Sequence, residues 1–289
     1  MNMKKLISLA LGSALTVSLL ASCGGDSASN PSTAPSADPS AAPTEEATRH
    51  LVIATRGNGE PYSLVDEKGN WTGIEAELWA EVAERTGWTY EIKQLGDLAA
   101  VFGEVESGRA DVAANCYAIT EERLQSYLAS DPIYADAQII AVKEDSSYQT
   151  LEDLRGKTIG VTSGQAAQNT VNELASQYDW TVVTYEDTSA GFQDCDLGRV
   201  DAYGHTVSQV LKIEDAQGLE FRMLDEKLFG NNVGWWFAQT DEGKELRDAC
   251  NEVLAEMQAD GTVAEIVSKW MYGEDMTQLI SDEWLTANQ

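Results

Sequence analysis

Two short phrases constrain this chain more than any other feature: Ser107-Gly108-Arg109-Ala110-Asp111 and Leu197-Gly198-Arg199-Val200-Asp201. In each, a helical run ends, glycine supplies the left-handed position that closes a helix, and aspartate opens an apolar strand. Each phrase also sits at the same stage of a similar run. The first run starts with a strand at Leu51–Thr55, a loop punctuated by glycine and proline, and a turn at Asp66-Glu67-Lys68-Gly69-Asn70-Trp71. A helix follows over Ile74–Thr86, with Ile74, Leu78, Val82 and Trp79 on one face and a stop at Gly87. Strand Thr89–Lys93, helix Leu98–Glu106 and strand Asp111–Ala114 complete it. The second run reads strand Thr158–Val161, helix Gln165–Gln177, strand Thr181–Tyr185, helix Ala190–Leu197 and strand Asp201–Tyr203. This alternation predicts an α/β fold of mainly parallel sheets flanked by helices, and the repeated phrase predicts two lobes of related build.

The apolar strands Ile139–Val142 and Val233–Phe237 lie nearest the lobe boundaries and are expected to carry the chain across and back. Lobe 1 is then 49–140 plus 236–273, including returning helices over Glu242–Gln258 and Val263–Met271, and lobe 2 is 141–235. A C-terminal tail occupies 274–289. Two crossings make a hinge, and a cleft at the ends of such sheets is where small ligands sit. Trp235 and Trp236 are neighbours on a strand and face opposite ways, so at most one of them can line that cleft.

The N-terminus sets the compartment. Lys4 and Lys5 precede an apolar run from Leu6 to Leu20, shorter than the roughly 20 residues a membrane-spanning helix needs, with the proportions of a secretory signal. The run ends in Leu20-Ala21-Ser22-Cys23, which resembles the lipobox of bacterial lipoproteins. That resemblance implies removal of a signal peptide, 1–22, and lipidation of Cys23, which anchors the chain to the cell membrane on its extracytoplasmic face. Residues 24–48 contain no leucine, isoleucine, valine or aromatic side chain, so 23–48 reads as a lipidated cysteine and flexible tether.

Composition removes other classes. The chain of 289 residues carries 48 acidic against 19 basic residues, a formal charge of −29, and such a field repels nucleic acid. The histidines are only His50 and His205, and the four cysteines show no CxxC spacing, so no metal site and no cofactor is expected. After lipidation Cys116, Cys195 and Cys250 remain; an odd number cannot all pair, and buried free thiols are the default reading.

Four ordered stretches between residues 50 and 273 carry a family resemblance. They are Pro61-Tyr62-Ser63 with Gly73-Ile74-Glu75-Ala76-Glu77-Leu78; Gly108-Arg109-Ala110-Asp111 with Ile119-Thr120-Glu121-Glu122-Arg123 and Ser130-Asp131-Pro132-Ile133-Tyr134; Leu151-Glu152-Asp153-Leu154-Arg155-Gly156-Lys157 with Val161-Thr162-Ser163-Gly164; and Asp260-Gly261-Thr262 with Lys269-Trp270. The chain resembles the family 3 extracellular solute-binding proteins, the amino-acid receptors of ABC importers. The resemblance implies a two-lobed fold like that of type II periplasmic binding proteins, which closes on an amino acid and delivers it to a permease.

It also implies a set of ligand-binding residues. Arg123 matches the arginine that receives the ligand α-carboxylate, a task suited to the two parallel donors of a planar guanidinium. Ala118 would add a backbone N–H, Thr120 would orient the arginine, and Asn115 and Cys116 lie where backbone carbonyls accept the ligand ammonium. From lobe 2, Gly164, Gln165 and Ala166 open a helix whose free N–H groups suit the same carboxylate. The family's lobe 2 acid for the ammonium has no counterpart: its place falls at or beside Thr206. Arg56, Tyr62 and Leu98 are expected near the ligand side chain, and a cationic Arg56 disfavours lysine or arginine as cargo. Ala114-Asn115-Cys116-Tyr117-Ala118-Ile119-Thr120 is similar to the cystine-binding branch. The expected partners are thus a polar amino acid (neutral or acidic), the subunits of an ABC permease, and the membrane through the lipid, with the protein itself a monomer.

Two other classes fit the same scaffold. Dehydratases acting on cyclic amino-acid precursors resemble this family, but the sequence offers no Ser-His-Asp or Cys-His arrangement, and His205 beside Thr206 is the one candidate base. A ligand-sensing module is the other alternative, with no further domain legible after residue 273. The expectation is a binding protein and not an enzyme.

Overall fold

The computed structural model describes residues 49–286. The expected signal peptide, Cys23 and the tether through residue 48 lie outside the described residues.

The first sheet grows from β1 (His50–Thr55), whose Leu51, Ile53 and Ala54 are buried. Three short strands, β2 (Asn58–Gly59), β3 (Ser63–Val65) and β4 (Trp71–Thr72), form a small antiparallel sheet beside it. Helix α1 (Ile74–Thr86) buries Ile74, Leu78, Trp79 and Val82 and ends where Gly87, at φ 71°, turns its N–H to the Ala83 carbonyl. Then come β5 (Thr89–Gln94), α2 (Leu98–Glu106), β6 (Val112–Ala113), a single turn α3 (Glu121–Leu124) and β7 (Tyr127–Ala129). The chain leaves for the second sheet along β8 (Tyr134–Lys143).

That sheet is built by β9 (Thr158–Thr162), α4 (Ala166–Tyr178), β10 (Thr181–Tyr185), α5 (Thr188–Asp196), β11 (Ala202–Thr206), α6 (Val207–Gln217), β12 (Phe221–Met223) and β13 (Phe229–Val233). The chain then returns through β14 (Trp236–Ala238) to α7 (Asp241–Ala259) and α8 (Thr262–Trp270), and ends in a 3-10 turn at Met276–Leu279 and α9 (Glu283–Thr286). Sheet order is β5-β1-β6-β14-β7 in one lobe and β10-β9-β11-β8-β12 in the other, with β13 also on β8. Strands β1, β5 and β6 run parallel, as do β9, β10 and β11, while β8 and β14 run antiparallel to their neighbours.

The two Gly-Arg-x-Asp phrases have matching geometry. Gly108 and Gly198 adopt φ of 67° and 69°. Arg109 and Arg199 each bond back to an acid five residues earlier, Glu104 and Asp194. Asp111 then accepts the Val52 N–H of β1 at 2.7 Å, and Asp201 accepts the Thr158 N–H of β9 at 2.9 Å. In both lobes, therefore, the aspartate ties the incoming strand to the strand beside it.

The crossings differ from expectation in place. Strand β8 starts at Tyr134 and runs through residue 140, so the expected lobe boundary falls inside it, and all of its described partners belong to the second sheet. Asp136 and Gln138, alternating with alanines, interrupt the apolar signal that had been read from Ile139 onward. The tail adds a further segment at the hinge. Asn232 of β13 and Ser281 exchange hydrogen bonds of 2.8 and 3.2 Å, and the Trp284 indole lies where a side chain at Gly230 would stand.

Candidate functional site

The end of β6 leads into the loop that carries most of the expected residues. Asn115 is buried and accepts from the Thr55 hydroxyl at 3.2 Å, while its amide reaches the Cys116 sulfur at 3.6 Å. Burial pushes the Cys116 thiol up to about 12, so it is a neutral thiol at physiological pH. Ile119 donates to the Asn232 carbonyl and Gly234 to the Tyr117 carbonyl, which pins this loop to the returning crossing. Thr120 caps α3, its hydroxyl accepting the Arg123 N–H at 3.3 Å.

The cap sets the start of the turn that carries Arg123. One guanidinium nitrogen of Arg123, Nη1, donates to the Ala118 carbonyl at 2.7 Å, and the group lies over the rings of Phe102 at 5.4 Å and Trp236 at 6.0 Å. Among the described residues no carboxylate forms an ion pair with it, and burial pulls its pKa down from the usual arginine value. A half-buried cation without an anion is costly unless an anion arrives. Arg56, part-buried after β1, and Arg123 both lie within electrostatic reach of the Tyr117 hydroxyl.

In lobe 2, α4 opens after Gly164. Gly164 sits at φ 72° and gives its N–H to the Gln168 side chain at 2.9 Å, so this donor is already used. Gln165 supplies no side-chain cap, which leaves the first-turn N–H groups from Ala166 onward without the partner a Ser or Asp would give. Among the described residues no hydrogen bond or ion pair links Gly164–Ala166 or Leu98 to the loop of Arg123. Leu98, the first residue of α2, is 37% exposed.

Thr206 caps α6, accepting from Gln209 N–H at 3.4 Å and sharing a hydrogen bond with the Ser208 hydroxyl at 3.0 Å. His205 is buried; its Nδ1 accepts the Thr206 N–H at 2.8 Å, and burial lowers its pKa to about 4. It is a neutral structural ring, not a poised base. Trp235 and Trp236 do face opposite ways, and both are fully buried, Trp235 against Trp79 and Trp236 against Phe102.

Two acids that the sequence reading did not assign stand beside these residues. Asp136 on β8 accepts from the Ser208 hydroxyl at 2.5 Å, the Ser208 N–H at 3.3 Å and the Tyr62 hydroxyl at 3.3 Å. Burial raises its carboxyl pKa and, with Asp136 as a second cause, raises that of Tyr62. Tyr62 stacks on Tyr134 at 6.1 Å and 8°, so its ring plane and its hydroxyl are both fixed. Glu75, in the first turn of α1, is 0% exposed and accepts the Trp235 indole N–H at 2.8 Å, with its other oxygen unpartnered. Burial pushes its carboxyl up to about 7. The available signal was an acid inside an otherwise apolar stretch, in Gly73-Ile74-Glu75-Ala76 and in Tyr134-Ala135-Asp136-Ala137.

A 140 Å³ cavity lies between Pro61 and Tyr62 on one side and Ser208, Gln209 and Lys212 on the other. A larger groove of 570 Å³, lined by Trp71, Tyr90 and Trp270, contains none of the expected residues. The aromatic groove offers no paired donors for a carboxylate.

Residues 51–273 match the family described as bacterial extracellular solute-binding proteins, family 3. The chain is 30% identical over 237 residues, 81% of its length and 93% of the relative's, to PatH of Vibrio harveyi, which carries the name of an amino-acid ABC transporter-binding protein. It is 27% identical over 230 residues to the L-cystine-binding protein TcyJ of Escherichia coli, covering 79% of this chain and 84% of TcyJ. Among solved structures, substrate-binding domain 2 of Lactococcus lactis GlnP, in an open conformation, superposes with a TM-score of 0.68 at 25% identity over 78% of this chain and 97% of that one. The unliganded, open L-cystine solute receptor of Neisseria gonorrhoeae shares the fold, with a TM-score of 0.70 at 20% identity over 80% and 95%.

Proposed function

Because the chain belongs to the bacterial extracellular solute-binding proteins of family 3, an amino-acid-binding receptor family of ABC transport and not a family of enzymes, we propose that its ligand is a polar amino acid with a neutral or acidic side chain, cystine included. The observation that carries this reading is Arg123. Its guanidinium is half-buried, backed by two aromatic rings, anchored through one nitrogen to Ala118 and without an ion pair among the described residues. Such a group accepts a carboxylate in two parallel hydrogen bonds. Ala118, Thr120, Asn115 and Cys116 shape that wall, and the first-turn N–H groups of α4, starting at Ala166, meet the carboxylate from lobe 2 when the cleft closes; the Gly164 and Gln165 N–H groups are already bonded to Gln168 and Thr162. Only the closed form makes both sets of bonds, so ligand shifts the population toward closure.

Selectivity follows from charge. Arg56 and Arg123 both border Tyr117, which sets two cations on the lobe 1 wall and disfavours lysine and arginine. Tyr62 and Leu98 meet the ligand side chain. Thr206 lies at the ammonium end as a hydroxyl, with Asp136 two residues from its strand partner Gln138 supplying the nearby negative charge. A thermal-shift panel of L-cystine, glutamine, serine, histidine, glutamate, aspartate, lysine and arginine tests this. At a hundredfold excess over Kd a ligand stabilises by about 2.7 kcal/mol, well within detection. The largest shift is expected from a neutral or acidic member, and the largest shift from lysine or arginine would reverse the assignment of Arg56.

The protein also works, in this reading, from the membrane surface, held by lipid on Cys23. Cells grown with labelled palmitate should label the wild-type protein and not Cys23→Ala; equal labelling of the two would remove the anchor.

A further inference from the structure

Besides its charge beside Thr206, Asp136 gathers donors from both lobes. Tyr62 comes from the loop between β2 and β3, and its backbone carbonyl accepts the Glu75 N–H at the start of α1, so it moves with lobe 1. Ser208 is in the first turn of α6 and moves with lobe 2. Both hydroxyls converge on one carboxylate of the hinge strand β8, which the Ser208 N–H also meets on its other oxygen. The ring of Tyr62 is held from behind by Tyr134, the first residue of the same strand. Tyr62 and Ser208 also line opposite sides of the 140 Å³ cavity.

We propose that Asp136 is a positioning residue that couples the two lobes: seated with Ser208 in lobe 2, it fixes the Tyr62 ring of lobe 1 toward the ligand through a hydrogen bond that crosses between them. A buried carboxylate strongly favours keeping its donors, since an ionised group left short of partners in a low-dielectric site is costly. Ser208 and Asp136 share the body built on the second sheet and stay together, so parting of the lobes withdraws the Tyr62 donor alone. The Tyr62 bond, at 3.3 Å, is then the one that breaks, and the ring is free to turn. The network therefore links the orientation of a ligand-facing ring in lobe 1 to the position of a helix in lobe 2. This inference rests on the amino-acid-receptor reading for its effect on affinity but not for its effect on the unliganded protein.

The test uses Tyr62→Phe, Ser208→Ala and Asp136→Asn in the purified protein. Tyr62→Phe removes one oxygen and keeps the stack on Tyr134, so folding is preserved even if Asp136→Asn folds poorly. In unliganded protein, hydrogen exchange of the Ser208 amide should quicken in Tyr62→Phe although that residue is in the other lobe. Unchanged exchange at Ser208 in Tyr62→Phe would overturn the coupling. In titrations with L-cystine and L-glutamine, Tyr62→Phe and Ser208→Ala should each weaken binding of whichever probe binds by about three- to tenfold, and the double variant should be no weaker than the worse single one, as expected for contacting members of one network. Fully additive losses would also overturn it. If neither probe nor any other amino acid binds, the receptor reading fails, and the exchange result still decides the latch.

Discussion

Arg123→Ala is expected to abolish amino-acid binding at the concentrations that saturate the wild-type protein. Removing one partner of a desolvated charge pair costs about 2–5 kcal/mol, because the other charge stays buried and unpaired, and that is a loss of tens- to thousands-fold in affinity. The fold should survive. The side chain gives up one hydrogen bond, to the Ala118 carbonyl, and its contacts with Phe102 and Trp236, whose rings remain packed in lobe 1. Arg123→Lys should fall in between, keeping the charge but losing the two-pronged geometry. Isothermal titration with the amino acid that gives the largest thermal shift reads the effect directly. An affinity for Arg123→Ala within threefold of wild type would show that the carboxylate is held elsewhere.

Glu75→Gln is expected to change how stability depends on pH. In the unfolded chain this carboxyl titrates near 4.5, and in the folded protein burial holds it near 7. Between those values the folded state keeps a proton that the unfolded state has released. Stability from this group is thus complete below about pH 4.5 and declines as pH rises toward 7, then stays low. Each pH unit separating the folded and unfolded values is worth about 1.4 kcal/mol, so the decline amounts to a few kcal/mol at most. Glutamine retains an acceptor for the Trp235 indole and has nothing to titrate. Denaturant melts at pH 5 and pH 8.5 should show the variant gaining on wild type at the higher pH. Parallel pH profiles for the two proteins would mean that Glu75 keeps its charge with help the structure does not show.

The legible parts of this fold were those written in local chemistry. Helix α1 ends at Gly87 because glycine alone reaches φ 71° without strain there, and that signal sits in the sequence itself. The two Gly-Arg-x-Asp phrases were readable for the same reason, and their geometry shows the cause of the repetition: each aspartate ties its incoming strand to the strand beside it. Arg123 and Thr120 were placed by motif, and their contact is local, across one helical turn.

What the sequence hid is what depends on distant partners. The first half of β8 was missed because Asp136 and Gln138 look like loop residues until Ser208 and Thr170 are known to bond them. Asp136 could not be assigned as an acid of the site, since its three donors come from Tyr62 and Ser208, far along the chain in both directions. Glu75 stands at a helix start, where carboxylates are common on the surface. Only the indole of Trp235, on the opposite crossing, shows that it is buried. The tail was legible only as a C-terminal tail, because Ser281 and Trp284 acquire meaning only against Asn232 and Gly230 of β13.

The most direct test of the central claim is a crystal structure of the protein with the amino acid that stabilises it most. The account predicts the ligand between the lobes, its α-carboxylate within hydrogen-bond distance of both guanidinium donors of Arg123 and of the first-turn N–H groups of α4. A ligand bound in the Trp71, Tyr90 and Trp270 groove, or a carboxylate that does not touch Arg123, would contradict it.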